Sequence, residues 1–534
     1  MKKRKLLSSI LGITLMAALL AGCGKGDDSE KNSASGNESS QVQSEENVSG
    51  SEAEVPTYKI AVVRTDGDRD FVDNNAFLDE LEEKHGIHIE WEIYAMADWE
   101  EQRSLILASK ELPDAFLGHY CGLENEVINN RGLFLELTDL IPENMPNLTK
   151  IFEEDPQMLA LAKDRDGKIY GLVSKEPFVP IQEGALYLNP EWLQNVGKEV
   201  PTTYLELQDV LKAFIEQDAD GDGDPDNETG VVGCGYPTLN FYFDTRRILV
   251  PFGLQINPSN YMGLNSEGEP VFIPAEEKFK EAVVWMHTLY AEGILDPEYF
   301  TADASMNAAK TVGCEFGWDM PEGFIMPEAL AGPDGNRYID HNLSTSMHTG
   351  EFYISNKCEN PEKLLQWADE FYTDVATLQN YFGPVPECIA DNGDGTYQVL
   401  LPADGGDLST SAWAHSFKGN SMAYMSKEFE TNNVILPEGE EVAAKLARDS
   451  VNGKYARDAF PVVKYTTEEA EALAGIQQDL IGYAETQYAH WVVDGGVEEE
   501  WDAYLEQLNK MQLETYIELQ MQAYNAYMEN MNES

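Results

Sequence analysis

Ile87-His88-Ile89-Glu90-Trp91-Glu92-Ile93 is the stretch that decides the fold class. Apolar residues fall at every second position, the period of a strand with one face on a core. Behind it, Phe77, Leu78 and Leu81 recur on one helical face that Gly86 stops. Further back, Tyr58–Val63 reads as an earlier strand. Ahead, Asp98-Trp99-Glu100-Glu101 has the form of a capping box, which predicts a helix over Trp99–Ser109. Leu112-Pro113-Asp114 then leads into a short third strand, Ala115–Leu117. Strands alternating with helices of this length imply parallel pairing and right-handed crossovers. The class is α/β.

Later segments are more helical. Thr203-x-x-Glu206 caps a helix carrying Leu207, Val210, Leu211 and Phe214 on one stripe, and Phe279, Val283, Met286 and Tyr290 repeat that pattern before Gly293. Asn360-Pro361 starts another, with Leu364, Trp367, Ala368 and Phe371 facing inward. Thr466-x-x-Glu469 opens a long helix through Leu473, Ile476 and Leu480, and Trp501, Tyr504, Leu505 and Leu508 form one more. These stripes are expected to be core.

The start of the chain sets its compartment. Lys2, Lys3, Arg4 and Lys5 precede an apolar run from Leu6 to Leu20, followed by Ala21-Gly22-Cys23. A basic start, a short apolar region and a small-residue cleavage site make residues 1–22 a signal peptide, too short and wrongly flanked for a mature membrane span. The small residues before Cys23 look like a bacterial lipobox, implying cleavage after Gly22 and diacylglycerol with palmitate-type chains on the Cys23 thiol. Two acyl chains anchor stably where one binds marginally. Gly24–Val55 is polar and acidic with no aromatic residue, so it cannot bury enough surface to fold. Residues 23–55 therefore read as a lipidated Cys and a disordered acidic tether with a reach of about 30 Å. The expected location is the extracytoplasmic face of the cell membrane.

Removing residues 1–22 takes away four basic and no acidic residues, leaving 32 basic against 95 acidic, formally −63. Such a field repels nucleic acid and anionic membrane surfaces, so neither is an expected partner, and attachment rests on the lipid. About 480 residues beyond the tether are too many for one core, so two lobes are expected. Cys121, Cys234, Cys314, Cys358 and Cys388 are odd in number, widely spaced and without a CxxC, indicating neither a zinc site nor a disulfide framework.

The sharpest local motif is Asp218-Ala-Asp220-Gly-Asp222-Gly223-Asp224-Pro-Asp226-Asn-Glu228. Carboxylates at positions 1, 3 and 5 with Gly at 6 match the first half of an EF-hand loop, which must curl six to eight oxygens around calcium. Asp218, Asp220, Asp222, the Asp224 carbonyl, and Asp226 or Glu228 could supply them. Position 12 is Thr229, where an EF-hand carries a bidentate Glu. The alternative is a solvated acidic turn. A second run, Asp391-Asn-Gly-Asp-Gly395-Thr396, lacks a third spaced carboxylate and reads as a hairpin turn. HExxH, GxSxG, the P-loop and GxGxxG are all absent from the sequence, and no organic cofactor is expected.

Glu82–Trp91 (EEKHGIHIEW), Leu107–Asp114 (LASKELPD), Phe134–Ile141 (FLELTDLI), Asp166–Gly171 (DGKIYG), Leu188–Leu193 (LNPEWL), Leu289–Glu298 (LYAEGILDPE) and Trp501–Tyr504 (WDAY) follow one another in order. On these blocks the chain, over essentially all of 56–534, resembles extracellular solute-binding lipoproteins of ABC importers. The type is family 1, related to maltose-binding protein and to larger calcium-carrying alginate-binding proteins. The acidic loop lies where some members carry an EF-hand-like calcium site, often ending Asp-Glu where this chain has Asp226-Asn227.

The resemblance implies a two-lobed, periplasmic-binding-protein-like (type II) α/β fold with a hinge between the lobes and a helical C-terminal part. Lobe 1 is expected at 56–183 with 315–385, lobe 2 at 184–314 with 386–534. Ligands of such sheets meet loops at strand carboxyl ends. That implies solute contacts from His119 and Tyr120, from Gln182 and Glu183 at the first crossing, and from Trp318. Tyr236 and Tyr242 sit where a related lobe contributes aromatics. A sugar's flat apolar faces and rim of hydroxyls suit such residues. The expected activity is binding without covalent chemistry: a monomer captures a solute, of the oligosaccharide class, and delivers it to ABC permease subunits by lobe closure. The alternatives are a surface glycan-active enzyme using a carboxylate pair and a ligand sensor for a membrane kinase.

Overall fold

The computed structural model describes residues 55–64, 75–224, 227–233, 244–302, 304–307, 309–341, 343, 346–402, 408, 416–417, 420–437 and 441–532. The signal segment, Cys23, the tether up to residue 54, Asp226, Cys234, Tyr236 and Tyr242 lie outside them.

The alternating stretch becomes β2 (His88–Ala95), paired in parallel with β1 (Thr57–Arg64), which pairs in parallel with β3 (Ala115–Leu117). β4 (Gly171–Lys175) completes one sheet with β7 (Met347–Ile354), in the order β2-β1-β3-β7-β4. β7 runs antiparallel to both β3 and β4. The carboxyl ends of β1 to β4 therefore share one edge with the amino end of β7. Between β4 and β7 the chain forms β5 (Ala185–Leu188) and β6 (Cys314–Gly317), an antiparallel pair elsewhere.

Period-two alternation along β1 loads both faces of the sheet. Tyr58, Ile60 and Val62 enter one core, Ala61 and Val63 a second layer with Trp99, Phe116 and Phe134. α1 (Ala76–His85) is capped by Asn75, whose side chain accepts from the Phe77 N–H at 3.2 Å, and closed by Gly86 at φ +57°. α2 runs Met96–Ser109, three residues longer at its start than predicted. β2 enters it with no intervening loop, Ala95 takes the cap position, and no capping box forms at Asp98. Asp98 instead lies in the first turn, where a carboxylate suits the helix dipole.

Two large cores organise the chain. The first gathers Ile60, Phe77, Leu148, Met158 and Phe352 around Trp367 and Phe371. The helix holding Trp367, Pro361–Asp369, starts after Asn360 at φ +59°. The second core is built by four of the stripes read above: Leu207, Leu211 and Phe214 on α4 (Tyr204–Glu216), Phe279, Val283 and Met286 on α5 (Glu277–Ala291), Leu473 and Leu480 on the long helix Thr467–Asp494, and Trp501 and Tyr504 on Val497–Lys510. Thr203 caps α4 by accepting from the Glu206 N–H at 3.1 Å. Thr466 and Glu469 form the complete capping box at 3.1 and 2.8 Å.

The packing corrects the expected lobe limits. β6 is hydrogen-bonded to β5, Ile325 bridges Leu188, and Leu330 enters the second core, so 314–331 stays with that core. The chain returns to the first core at β7. The described residues between 389 and 434 do not continue the second lobe. Ile389, Val399 and Met425 form a small core with Phe178, Leu378 and Phe382, while Phe417 and Met422 enter the first large core. The run at Asp391–Thr396 joins antiparallel strands Ile389–Asp391 and Tyr397–Val399 as a hairpin. The last helix, Leu513–Asn532, seats Leu513 and Tyr516 in the second core, whereas its Ala523 and Tyr527 line a crevice with Ala160 and Lys163 beside the first.

Arg165 donates to both oxygens of Glu469 at 3.1 and 2.7 Å, tying the segment before β4 to the long C-terminal helix. Burial alone would raise the Glu469 pKa, but Arg165 and the Thr466 N–H outweigh it and hold the carboxyl below its usual range. A depressed carboxylate contributes stability above its unfolded pKa and loses it as pH falls through the folded value. The melting temperature of the parent is accordingly expected to exceed that of Glu469→Gln at neutral pH. The gap should narrow as pH drops below about 4.5, the ordinary carboxyl value. A gap that stays constant on acidification would contradict this assignment.

Candidate functional site

The carboxyl-end edge of the sheet carries the first group of predicted ligand residues. Gly118 follows β3 at φ +93°, and a side chain there would collide with Asn420, its Cβ 1.9 Å from Oδ1. Asn420 occupies that space. It accepts from the Tyr120 N–H at 3.3 Å and donates to the Val63 carbonyl at 3.2 Å. The turn that follows presents His119 and Tyr120, both half-buried, with ring centroids 4.3 Å apart. His119 Nδ1 lies 3.0 Å from Oε1 of Glu351, and its ring stacks on His348 at 4.4 Å and 11°. Burial would lower the His348 pKa, but Glu176 beside it prevails and raises it.

Directly after this turn comes α3 (Glu124–Asn129), and a groove of about 590 Å³ runs between Asn125 and the long helix Thr467–Asp494. Tyr465, Gln477, Gln478, Ile481 and Glu485 line its other wall. Its volume falls in the range of small-molecule clefts.

The second group assembles around Arg448. Trp318 is half-buried with the Arg448 guanidinium 5.6 Å from its ring centroid. Arg448 Nη1 donates to the Trp318 carbonyl at 2.8 Å and to the Glu183 carbonyl at 3.3 Å. Gln182 and Glu183, expected to face the solute, are turned inward. Gln182 donates to the Gly184 carbonyl at 3.1 Å and accepts from Asn452 at 2.9 Å. Glu183 is 1% exposed and its carboxylate is paired with Arg246. Arg246 also donates to Asp340 at 3.1 Å, and Arg247 reaches the other Asp340 oxygen at 3.3 Å. Burial would strip the Arg246 charge, yet Asp340 and Glu183 together hold it protonated. These two predicted residues therefore brace the chain crossing at 182–184, and Gln182 also lines a small crevice beside it. The adjacent crevice holds only about 50 Å³.

Sequence reasoning missed Arg448, Asp449 and Asn452, which clasp the crossing from some 265 residues downstream. They sit on the helix Glu441–Asn452 as ordinary polar residues, with no local pattern to mark them. Arg246-Arg247 did carry a signal: two adjacent cations ahead of Ile248-Leu249-Val250 in a strongly acidic chain require carboxylate partners.

The acidic loop curls as the motif demands. Gly221 and Gly223 take φ +79° and +94°. Asp218 accepts from the Gly223 N–H at 3.1 Å, and Asp220 from the Asp222 N–H at 3.0 Å. Ligand oxygens of Asp218, Asp220 and Glu228 lie within 4.8 Å of one another. Asp222 is directed elsewhere, accepting from Asn227 at 2.7 Å and from the Asp224 N–H at 2.8 Å. Glu228 Oε1 accepts from the Ala219 N–H at 2.7 Å, and its Oε2 is buried with no partner. Cys121, Cys314 and Cys388 are buried and Cys358 half-buried, all as free thiols.

Among the described residues no helix is long and apolar enough to cross a membrane. No family model matches the chain. It is 27% identical over 492 residues to the fructooligosaccharide ABC transporter substrate-binding protein FusA of Streptococcus pneumoniae serotype 4, covering 85% of this chain and 87% of that protein. An EF-hand mutant of S. pneumoniae FusA, solved in complex with fructo-nystose, superposes with a TM-score of 0.73 at 24% identity over 89% of this chain and all of that one. A solute-binding protein of Bifidobacterium longum infantis associated with an HMO-binding ABC transporter gives 0.75 at 21% identity over 89% and 99%. The fold is the two-lobed α/β fold of solute-binding proteins. The chain is a homologue of an ABC transporter substrate-binding protein over most of its length. These relatives are binding proteins rather than enzymes.

Proposed function

We propose that this chain is the substrate-binding component of an ABC importer, capturing an oligosaccharide outside the cytoplasm and handing it to permease subunits. The observation that carries this reading is the likeness to FusA along 85% of the chain. The sheet geometry supports it, because strand carboxyl ends are where α/β sheets receive ligands. His119 and Tyr120 sit at that edge, and Trp318 offers a second aromatic ring. Lobe closure on the solute would shift an open–closed equilibrium, with no bond made or broken. The basic start, apolar run and Cys23 support a lipid anchor on the extracytoplasmic face of the cell membrane.

A thermal-shift screen against kestose, nystose and milk oligosaccharides tests this. A ligand at 100 times its Kd is expected to add about 2.7 kcal/mol to stability. Tyr120→Ala or Trp318→Ala should weaken that ligand roughly tenfold, the size of one lost aromatic contact, without lowering the unliganded melting temperature. A panel with no stabilising glycan would sink the proposal.

The acidic loop supports structural calcium as part of the same reading. Its fit is the convergence of three carboxylates with the unpartnered Glu228 Oε2, which stands at position 11 and could do the work of the missing Glu at 12. Asp218, Asp220 and Glu228 would hold the ion, drawing together a loop whose carboxylates otherwise repel. EDTA is expected to lower the melting temperature and excess calcium to restore it, with no difference left in Asp220→Ala. Superimposable melting curves in calcium and EDTA would remove the site.

A further inference from the structure

His348 and Glu351 are three residues apart on β7, a spacing that ordinary alternation sends to opposite faces of a sheet. Here they converge. The register of β7 against β4 slips between His348 and Phe352, and Gly350 within the slip takes φ +72°. Bulges of this kind re-aim side chains and are enriched beside functional sites. The result is a trio, His119, His348 and Glu351, whose ligand atoms all lie within 4.8 Å.

We propose that this trio is a site for a divalent transition metal of the zinc class, distinct from the acidic loop. Two imidazole nitrogens and one carboxylate oxygen match zinc's preferred donors and leave a fourth position open. The Glu351 side chain is wholly buried, and its carboxylate is held by the Ser174 hydroxyl at 2.9 Å and the His119 N–H at 3.0 Å. Such hydrogen bonds orient a ligating carboxylate as the outer shell of a metal does. Among the described residues no Lys or Arg forms an ion pair with Glu351; its partner of that kind is His119. His348 Nε2 is buried and forms an ion pair with Glu176 Oε1 at 3.5 Å. The stacked rings must turn for both lone pairs to meet one ion. When the His348 ring turns, Nε2 gives up a long contact of 3.5 Å with Glu176.

The experiment titrates zinc into the purified protein in excess calcium, which occupies the acidic loop, and follows cobalt substitution by visible absorption. One equivalent of zinc is expected to bind, with cobalt bands typical of nitrogen and oxygen ligation. His348→Ala should weaken binding at least 100-fold while the protein keeps its circular dichroism and melting temperature. His490→Ala is the control for the surface cluster of His490 with Asp494 and Glu500, at 3.0 and 3.5 Å, and should change nothing. If His348→Ala fails to fold, cobalt bands in the parent decide alone. Absence of saturable zinc binding, or binding lost in His490→Ala and retained in His348→Ala, overturns the proposal.

Discussion

Arg246→Ala is expected to cost about 3–5 kcal/mol, the range for stripping one partner from a buried ion pair. The substitution leaves Glu183 and Asp340 close together, 1% and 3% exposed, with Arg247 still paired to Asp340. Arg246→Lys keeps the charge, but a single ammonium cannot span two carboxylates as the planar fork does, so it should recover only part of the loss. Because Glu183 stands at the chain crossing, the damage should reach solute binding as well as stability. Denaturant titration of the three proteins reads both: a loss under about 1 kcal/mol for Arg246→Ala would show that the network contributes little beyond its own desolvation.

Trp367→Ala should lose a similar about 3–5 kcal/mol, here from a cavity. The indole is fully buried, with Phe371 at 4.9 Å and Phe352 at 6.1 Å on its flanks. Trp491 is its counterpart in the other large core, packed against Tyr504 at 4.8 Å. Since the two indoles lie in separate cores, Trp367→Ala and Trp491→Ala should each lower a different part of a calorimetric trace if the halves melt separately. A single transition displaced equally by both would mean that the contacts between the halves couple them into one cooperative unit.

The local code of the chain was largely legible. β3 begins and ends where the sequence put it, Thr203 and Thr466 cap as their spacing implied, and the apolar stripes became core, because each depends on residues within a turn or two. The start of α2 was misread, since Asp98 has the right neighbours for a cap but β2 runs on to Ala95 and consumes the loop a cap needs. Lobe limits were misjudged for a different reason. The limit at 315 came from the resemblance alone, and the pairing of β6 with β5 shows which core those residues join. The chain position of Glu183 at the crossing implies a solute contact; its burial depends on Arg246, Asp340 and Arg448, which no window of sequence holds together. His348 and Glu351 were invisible for the reason that makes them interesting, namely that a bulge breaks the periodicity by which strand residues are assigned to faces.

One consequence of the last helix concerns mechanics. Its first turns are rooted in one core and its far end lies against the other, so Leu513–Asn532 works as a diagonal brace across the molecule. If the halves rock, Tyr527 must move over Ala160, so the contacts of this helix oppose the motion. A chain clipped ahead of Leu513 should swing more widely and hold its resting angle less firmly.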